Sequence, residues 1–264
     1  MLELTDTQIG LLLSTYLWPL FRITGFLLAD PLFGTKQVPR RIKTVLAISL
    51  TVLIAPLLPP MPAVPVVSGE GVFIIVQQLL IGAAMGFTMR LAITAVEVSG
   101  AIIAMQMGLG FAMQFDPGSG AQVSSVSRLL TLFTYLILLA INGHHVMLGT
   151  LVESFTLLPV SLAPLPAMSL KMLAGWGGTM LALGLWLSLP LVAALLIVNL
   201  SVGVMTRAAP QFNIFSFGFP MTLTIGFVVL YLSIPLLGTA LEQVYLQAFV
   251  LMRQLLLPQT GSAP

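Results

Sequence analysis

Cysteine is absent from all 264 residues, which removes disulfide frameworks, thiolate nucleophiles, zinc–thiolate sites and iron–sulfur ligation together. Only two histidines are present, so little remains for metal binding or general-base work. Charge is equally scarce, since ten Lys or Arg and eight Asp or Glu make up 7% of the chain against roughly 25% in soluble domains. No Gly-x-x-x-x-Gly-Lys phosphate loop occurs, and Gly118-Ser119-Gly120 lacks the full nucleophile-elbow pattern. The net charge of +2 and the pI near 9.2 rest on too few groups to suggest nucleic acid, which would require a basic stripe. A cleaved signal peptide would begin with a basic segment, yet the first ten residues carry Glu3 and Asp6 and no Lys or Arg, so the first apolar run is expected to stay as a span.

What is abundant is apolar surface: 58% of residues are hydrophobic and the mean hydropathy is +1.08. Each bilayer crossing takes about 20 apolar residues, so the length accommodates about six. The composition predicts an all-α membrane protein with about six long hydrophobic helices. The segments are Ile9–Ala29, Thr44–Leu58, Val72–Met89, Leu129–Val152, Met172–Met205 and Met221–Leu241. Proline-rich breaks separate some of them, at Pro56, Pro59, Pro60, Pro62 and Pro65 and again at Pro159, Pro164 and Pro166. The fifth lies in an uncharged stretch that would reach about 52 Å as one helix, so it must tilt, kink at Pro190 or extend beyond the hydrocarbon.

Lys and Arg flanking the spans orient the chain. With both termini outside, Lys36, Arg40, Arg41, Lys43, Arg90, Arg128 and Arg207 lie inside, and Lys171 and Arg253 outside. The stretch from Glu97 to Arg128 then begins and ends on the inner side, which predicts a re-entrant or protein-buried element over Val98–Phe115.

Four features could carry function. Arg22 lies inside the first apolar segment, where it either pairs in the interior or reaches the headgroups from the inner end. Gly82 and Gly86 form a Gly-x-x-x-Gly pair with Arg90 one helical step further on the same face and Glu97 seven residues beyond. These charges are candidates for an interface or for ordinary helix packing. Met105 to Gly120 combines three Met, two Phe and four Gly and ends in an Asp116-Pro117-Gly118 turn. It is either a buried packing loop or a deformable hydrophobic seal, because thioethers adapt in shape and apolar constrictions dewet. Finally, Leu241, Tyr245, Ala248, Met252 and Leu255 share one face, suited to a partner helix or to the protein's own surface. The adjacent His144 and His145 cannot ligate one metal in the usual i, i+4 manner and suit a helix cap.

The order and spacing of five stretches resemble the FliR family of export-gate subunits of flagella and type III secretion systems. They are Phe21-Arg22 to Pro31-Leu-Phe-Gly, Val38-Pro-Arg-Arg-Ile-Lys43, Gln77 to Gly86, Gln106 to Gly120, and Ala208-Ala-Pro-Gln-Phe-Asn-Ile-Phe-Ser-Phe-Gly-Phe-Pro220.

The resemblance implies a non-enzymatic, cofactor-free pore subunit in the bacterial inner membrane and flagellar basal body. It would assemble with FliP-like and FliQ-like chains, contact an FlhB-like protein, and pass unfolded export substrates. It also implies a FliP-like part over residues 1–170 and a FliQ-like helical hairpin over 171–257, whose tip holds Arg207, Pro210, Gln211, Phe212, Asn213 and Phe215. In the family a loop closes the pore, and the matching residues here include Gln106, Met107, Gly108, Leu109, Gly110, Phe111, Ala112, Met113, Gln114, Phe115 and Asp116. The family's gate resembles a cone lifted largely out of the bilayer, so segments that read as spans would pack mainly on partners. The rival reading is a secondary transporter of a small solute that uses Arg22, Arg90 and Glu97.

Overall fold

The computed structural model describes residues 6–109, 124–164, 166–209 and 218–257. Among these, helices dominate and no strand occurs, in keeping with an all-α membrane protein. The helices are α1 (Asp6–Ala29), α2 (Arg40–Ile54, followed by a 3-10 turn Ala55–Leu57), α3 (Gly69–Gln106), α4 (Ser125–Ala140), α5 (Gly143–Leu157), α6 (Ala167–Ala208) and α7 (Phe219–Gln254). Among the described residues three helices, α3, α6 and α7, are long and apolar enough to cross a membrane. The bent pair α4 and α5 makes a fourth if counted as one.

Two sequence expectations change, and a third is met by one continuous helix. The segment ending at Met89 does not stop there, because α3, 38 residues long, runs on through Arg90 and Glu97 to Gln106. Residues 98–106 are thus ordinary helix rather than a re-entrant element, and residues 110–115 lie outside the described residues. The interval holds no proline, so two charges alone cannot end the helix. Leu129–Val152 is not one straight helix but falls in two helices bent by 67°. Asn142 there adopts φ 55° in the left-handed region, which Asn tolerates and a following Gly accommodates. At Pro190 the fifth segment runs on unbroken, giving α6 its 42 residues.

The chain forms two compact units. One comprises Met1–Leu91, Asn142–Gly177 and Leu246–Pro264, and the other Ala92–Ile141 and Gly178–Tyr245.

In the first unit α1 and α3 run parallel in close register. A Cβ at Gly25 would fall on the Leu79 carbonyl and one at Gly82 on the Arg22 carbonyl, while one at Gly86 would sit 2.6 Å from the Phe26 carbonyl oxygen. Only glycine permits backbones this close. The proline-rich connection is not a free loop. Leu58, Met61, Val64 and Val66 cover a buried cluster of Trp18, Ile74, Phe155 and Val160, and the Trp18 indole N–H donates to the Pro62 carbonyl at 3.3 Å. Ser68 ends that stretch by accepting from the Gly71 amide at 3.0 Å, which meets one of the unpaired donors at the start of α3.

In the second unit the rest of α3 packs on α4 at Gly100, where a Cβ would lie 2.5 Å from the Ser127 Cα. The Ser127 hydroxyl donates to the Glu97 carbonyl at 2.9 Å. Gly184 of α6 likewise faces the Ala95 carbonyl, and the Tyr245 hydroxyl ties α7 to α4 by donating to the Thr134 carbonyl at 3.0 Å.

Candidate functional site

Arg22 is fully buried, so of its two readings the interior one holds and the headgroup one does not. Its Nε donates to Gln78 Oε1 at 2.7 Å. Nη1 donates to the Ser154 carbonyl at 2.7 Å and to its hydroxyl at 3.1 Å, and Nη2 donates to the Leu158 carbonyl at 2.9 Å. The guanidinium also lies 4.2 Å from the Phe155 ring centroid, within cation–π range. Among the described residues no carboxylate pairs with it. The counter-charge is the C-terminal end of α5, whose last carbonyls carry partial negative charge and otherwise lack donors. Arg22 therefore joins α1, α3 and α5 as a buried structural node, with four of its five N–H donors bound inside the protein. Gln78, Ser154 and Phe155 escaped the sequence reading because they lie 56 to 133 positions away from it.

Asp30, one residue beyond α1, was also missed, although its place in Asp30-Pro31-Leu32-Phe33-Gly34 is a turn signature. One carboxylate oxygen accepts from the amides of Leu32 at 2.8 Å and Phe33 at 2.9 Å. The other is buried without a hydrogen-bond partner. Burial raises its pKa to about 6, and the two amide bonds only partly oppose that rise. The turn is held further by the Lys43 ammonium, which donates to the Gly34 carbonyl at 2.9 Å.

Arg90 is exposed and Glu97 half-buried on α3, and each belongs to a different compact unit. Arg207 is exposed in the last turn of α6, while Pro210, Gln211, Phe212, Asn213 and Phe215 lie outside the described residues. So do Gly110, Phe111, Ala112, Met113, Gln114, Phe115 and Asp116.

Gln106, Met107, Gly108 and Leu109 are described, and they form a complete helix cap. The Leu109 amide donates to the Ala104 carbonyl at 3.0 Å and the Gly108 amide to the Met105 carbonyl at 3.1 Å, with Gly108 at φ 85°. This is the Schellman arrangement, which requires a left-handed residue at the position Gly108 occupies. Two carbonyls beyond its reach are met from outside: Asn199 of α6 donates to Gln106 at 3.2 Å and Thr222 of α7 to Met107 at 3.4 Å. Met107 is fully buried in a notch over Gly226, where a Cβ would meet its Cγ at 2.7 Å. Asn199, Thr222 and Gly226 carried no sequence signal that linked them to the loop.

His144 and His145 open α5 with ring centroids 4.1 Å apart; the helix cap there is Asn142. No cluster of three metal-ligating side chains occurs among the described residues. The face Leu241, Tyr245, Ala248, Met252 and Leu255 is buried, so it packs on the protein itself.

The family model for bacterial export proteins, family 1, matches residues 13–248. The flagellar biosynthetic protein FliR of Escherichia coli (strain K12) is 38% identical over 256 residues, 97% of this chain and 98% of that one. Its namesake in Pectobacterium carotovorum is 37% identical over 249 residues, 94% and 95% of the two chains. The FliR of Aquifex aeolicus is 32% identical over 225 residues, 85% and 87%. These matches carry the motif resemblance over nearly the full length, and the chain belongs to family 1 of the bacterial export proteins, the FliR family, as a membrane-embedded, non-enzymatic component of flagellar export.

Proposed function

We propose that this chain is a pore-lining subunit of the flagellar type III export gate in the bacterial inner membrane. It passes unfolded polypeptides outward, and the loop from Gln106 to Gln122 seals the closed pore. The observation that carries this reading is the cap at the end of α3. It turns the chain out of a 38-residue helix at a hydrogen-bonded point, and the sequence that follows holds Phe111, Met113 and Phe115. Such side chains at a constriction exclude water and ions while deforming around an irregular passenger. The energy for transport comes from elsewhere, since the sequence has no nucleotide-hydrolysing motif.

Partners follow from uncovered apolar surface. Only 28% and 22% of the most apolar windows of α6 and α7 are buried within the chain, against 50% for α3. FliP-like and FliQ-like chains, an FlhB-like protein and lipid would cover the remainder. In this proposal residues 1–170 are the FliP-like part and residues 171–257, which hold most of α6 and all of α7, the FliQ-like hairpin, its tip on the inner side. The parallel course of α1 and α3 supports the alternating topology in which both run inward.

Deleting residues 110–114, which leaves the cap intact, is expected to make cells leak ions while gate assembly stays normal. Unchanged membrane permeability with a normally assembled complex would overturn the sealing role. Arg90→Ala should lower the yield of the multi-chain complex in native mass spectrometry more than it lowers secretion per assembled gate. Normal yield would remove Arg90 from the interface.

A further inference from the structure

We propose that Asn199 and Thr222 are positioning residues for the sealing loop, acting with the Gly226 notch as a latch that sets where the loop leaves α3. The inference rests on the sealing role proposed above and adds to it that α6 and α7 control the seal.

Three observations converge within one compact unit. The Schellman bonds satisfy the carbonyls of Ala104 and Met105, so the cap alone would keep α3 helical. The Asn199 and Thr222 bonds go to the next two carbonyls, those of Gln106 and Met107. Those two bonds anchor the last residues before the left-handed Gly108 to α6 and α7, so the point at which the chain turns is held from outside α3 as well as by the Leu109 amide bond to Ala104. The third is steric. Gly226 leaves room for the Met107 side chain, which fills the notch and keeps the Met107 carbonyl beside Thr222. All three contacts come from the last third of α6 or the first eight residues of α7, so the two helices of the hairpin both hold the loop root.

The latch is also built to release. The Thr222 hydroxyl has one proton and two acceptors, the Met107 carbonyl at 3.4 Å and the Phe219 carbonyl of its own helix at 3.0 Å. Letting go of Met107 therefore leaves no unpaired donor on Thr222. A Met side chain leaves a glycine notch more readily than a branched one would, having no branch to reorient.

The chain's lack of cysteine makes the test clean. A Cβ on residue 226 lies 2.7 Å from the Met107 Cγ, and one more carbon–carbon bond of ~1.5 Å brings the two Cβ atoms within the ~3.5–4.5 Å span of a disulfide. In the full chain within its native membrane complex, Met107→Cys with Gly226→Cys should cross-link on oxidation. Asn199→Ala with Thr222→Val should raise ion leak about tenfold, the factor expected for losing two modest hydrogen bonds, at wild-type complex yield. Thr222→Ser should not leak.

The decisive arm combines all four substitutions. Oxidation should close the leak and reduction should reopen it, a reversal that a general packing defect would not show. Failure of the cross-link to form, or a leak that oxidation leaves unchanged, overturns the latch. If instead the residue 110–114 deletion is tight while the cross-link still forms, the sealing role fails on its own.

Discussion

The Nε of Arg22 donates across 2.7 Å to the Oε1 of Gln78, and the far edge of the same guanidinium takes the carbonyls of Ser154 and Leu158 that end α5. A charge that is costly in an apolar interior is here solvated by backbone dipoles and one amide. Arg22→Lys keeps the charge but loses the planar fork, so a single ammonium cannot serve three separated acceptors. Arg22→Ala should cost about 3–5 kcal/mol, the scale for stripping a buried charged partner, and Arg22→Lys most of that. Gln78→Leu should cost less, about 1–3 kcal/mol. Thermal melts of the extracted chain would rank the three. A Lys variant that melts like wild type would show that the fork geometry does not matter.

The glycines of the first unit separate two kinds of site. Gly82→Ala and Gly86→Ala drive a methyl into the backbone of α1, and neither helix can shift without disturbing Arg22, so each should lose about 1–3 kcal/mol. Gly175 has nothing within 4 Å of a Cβ placed on it. There Gly175→Ala should raise stability by about 0.5–1 kcal/mol through helix propensity. Limited proteolysis of the three variants would test this, and equal behaviour at all three positions would contradict the close approach of α1 and α3.

Asp30 predicts a pH dependence. Its carboxyl is raised from 3.8 to about 6 in the folded chain, so between those values the folded state binds more protons than the unfolded one. Stability then falls as pH rises through this window, is highest below about pH 4 on account of this group, and stays reduced above about pH 6. Asp30→Asn keeps an oxygen for the Leu32 and Phe33 amides and has no charge to bury. Its melting temperature should lose this pH dependence and exceed that of wild type at pH 7. A pH profile identical to wild type would place the titration elsewhere.

Several features were legible before any fold was known. Gly82 and Gly86 read as a point of close helix approach, and that is their role, but the sequence could not name α1 as the partner. Arg22 stood out as an interior charge, although its two readings stayed open because the acceptors that decide between them arrive from α3 and α5. The bend at Asn142-Gly143 had a turn signal that hydropathy alone overrode. Arg90 and Glu97 misled in the other direction, since two charges in an apolar run look like a boundary while the helix ladder is indifferent to them.

The sequence by itself determined the class of molecule. Scarce charge, absent cysteine and long apolar runs point to a helical membrane protein without thiolate chemistry, because burial and ligation depend on which groups exist at all. It also marked the Met105 to Gly120 stretch as unusual. Only the tertiary structure showed that Arg22 joins three helices, and that Asn199, Thr222 and Gly226 meet the root of that stretch. Hydrogen bonds and van der Waals contacts act over a few ångströms, and partners at Gln106 and Asn199 are 93 positions apart in the chain, so no local pattern can foretell them.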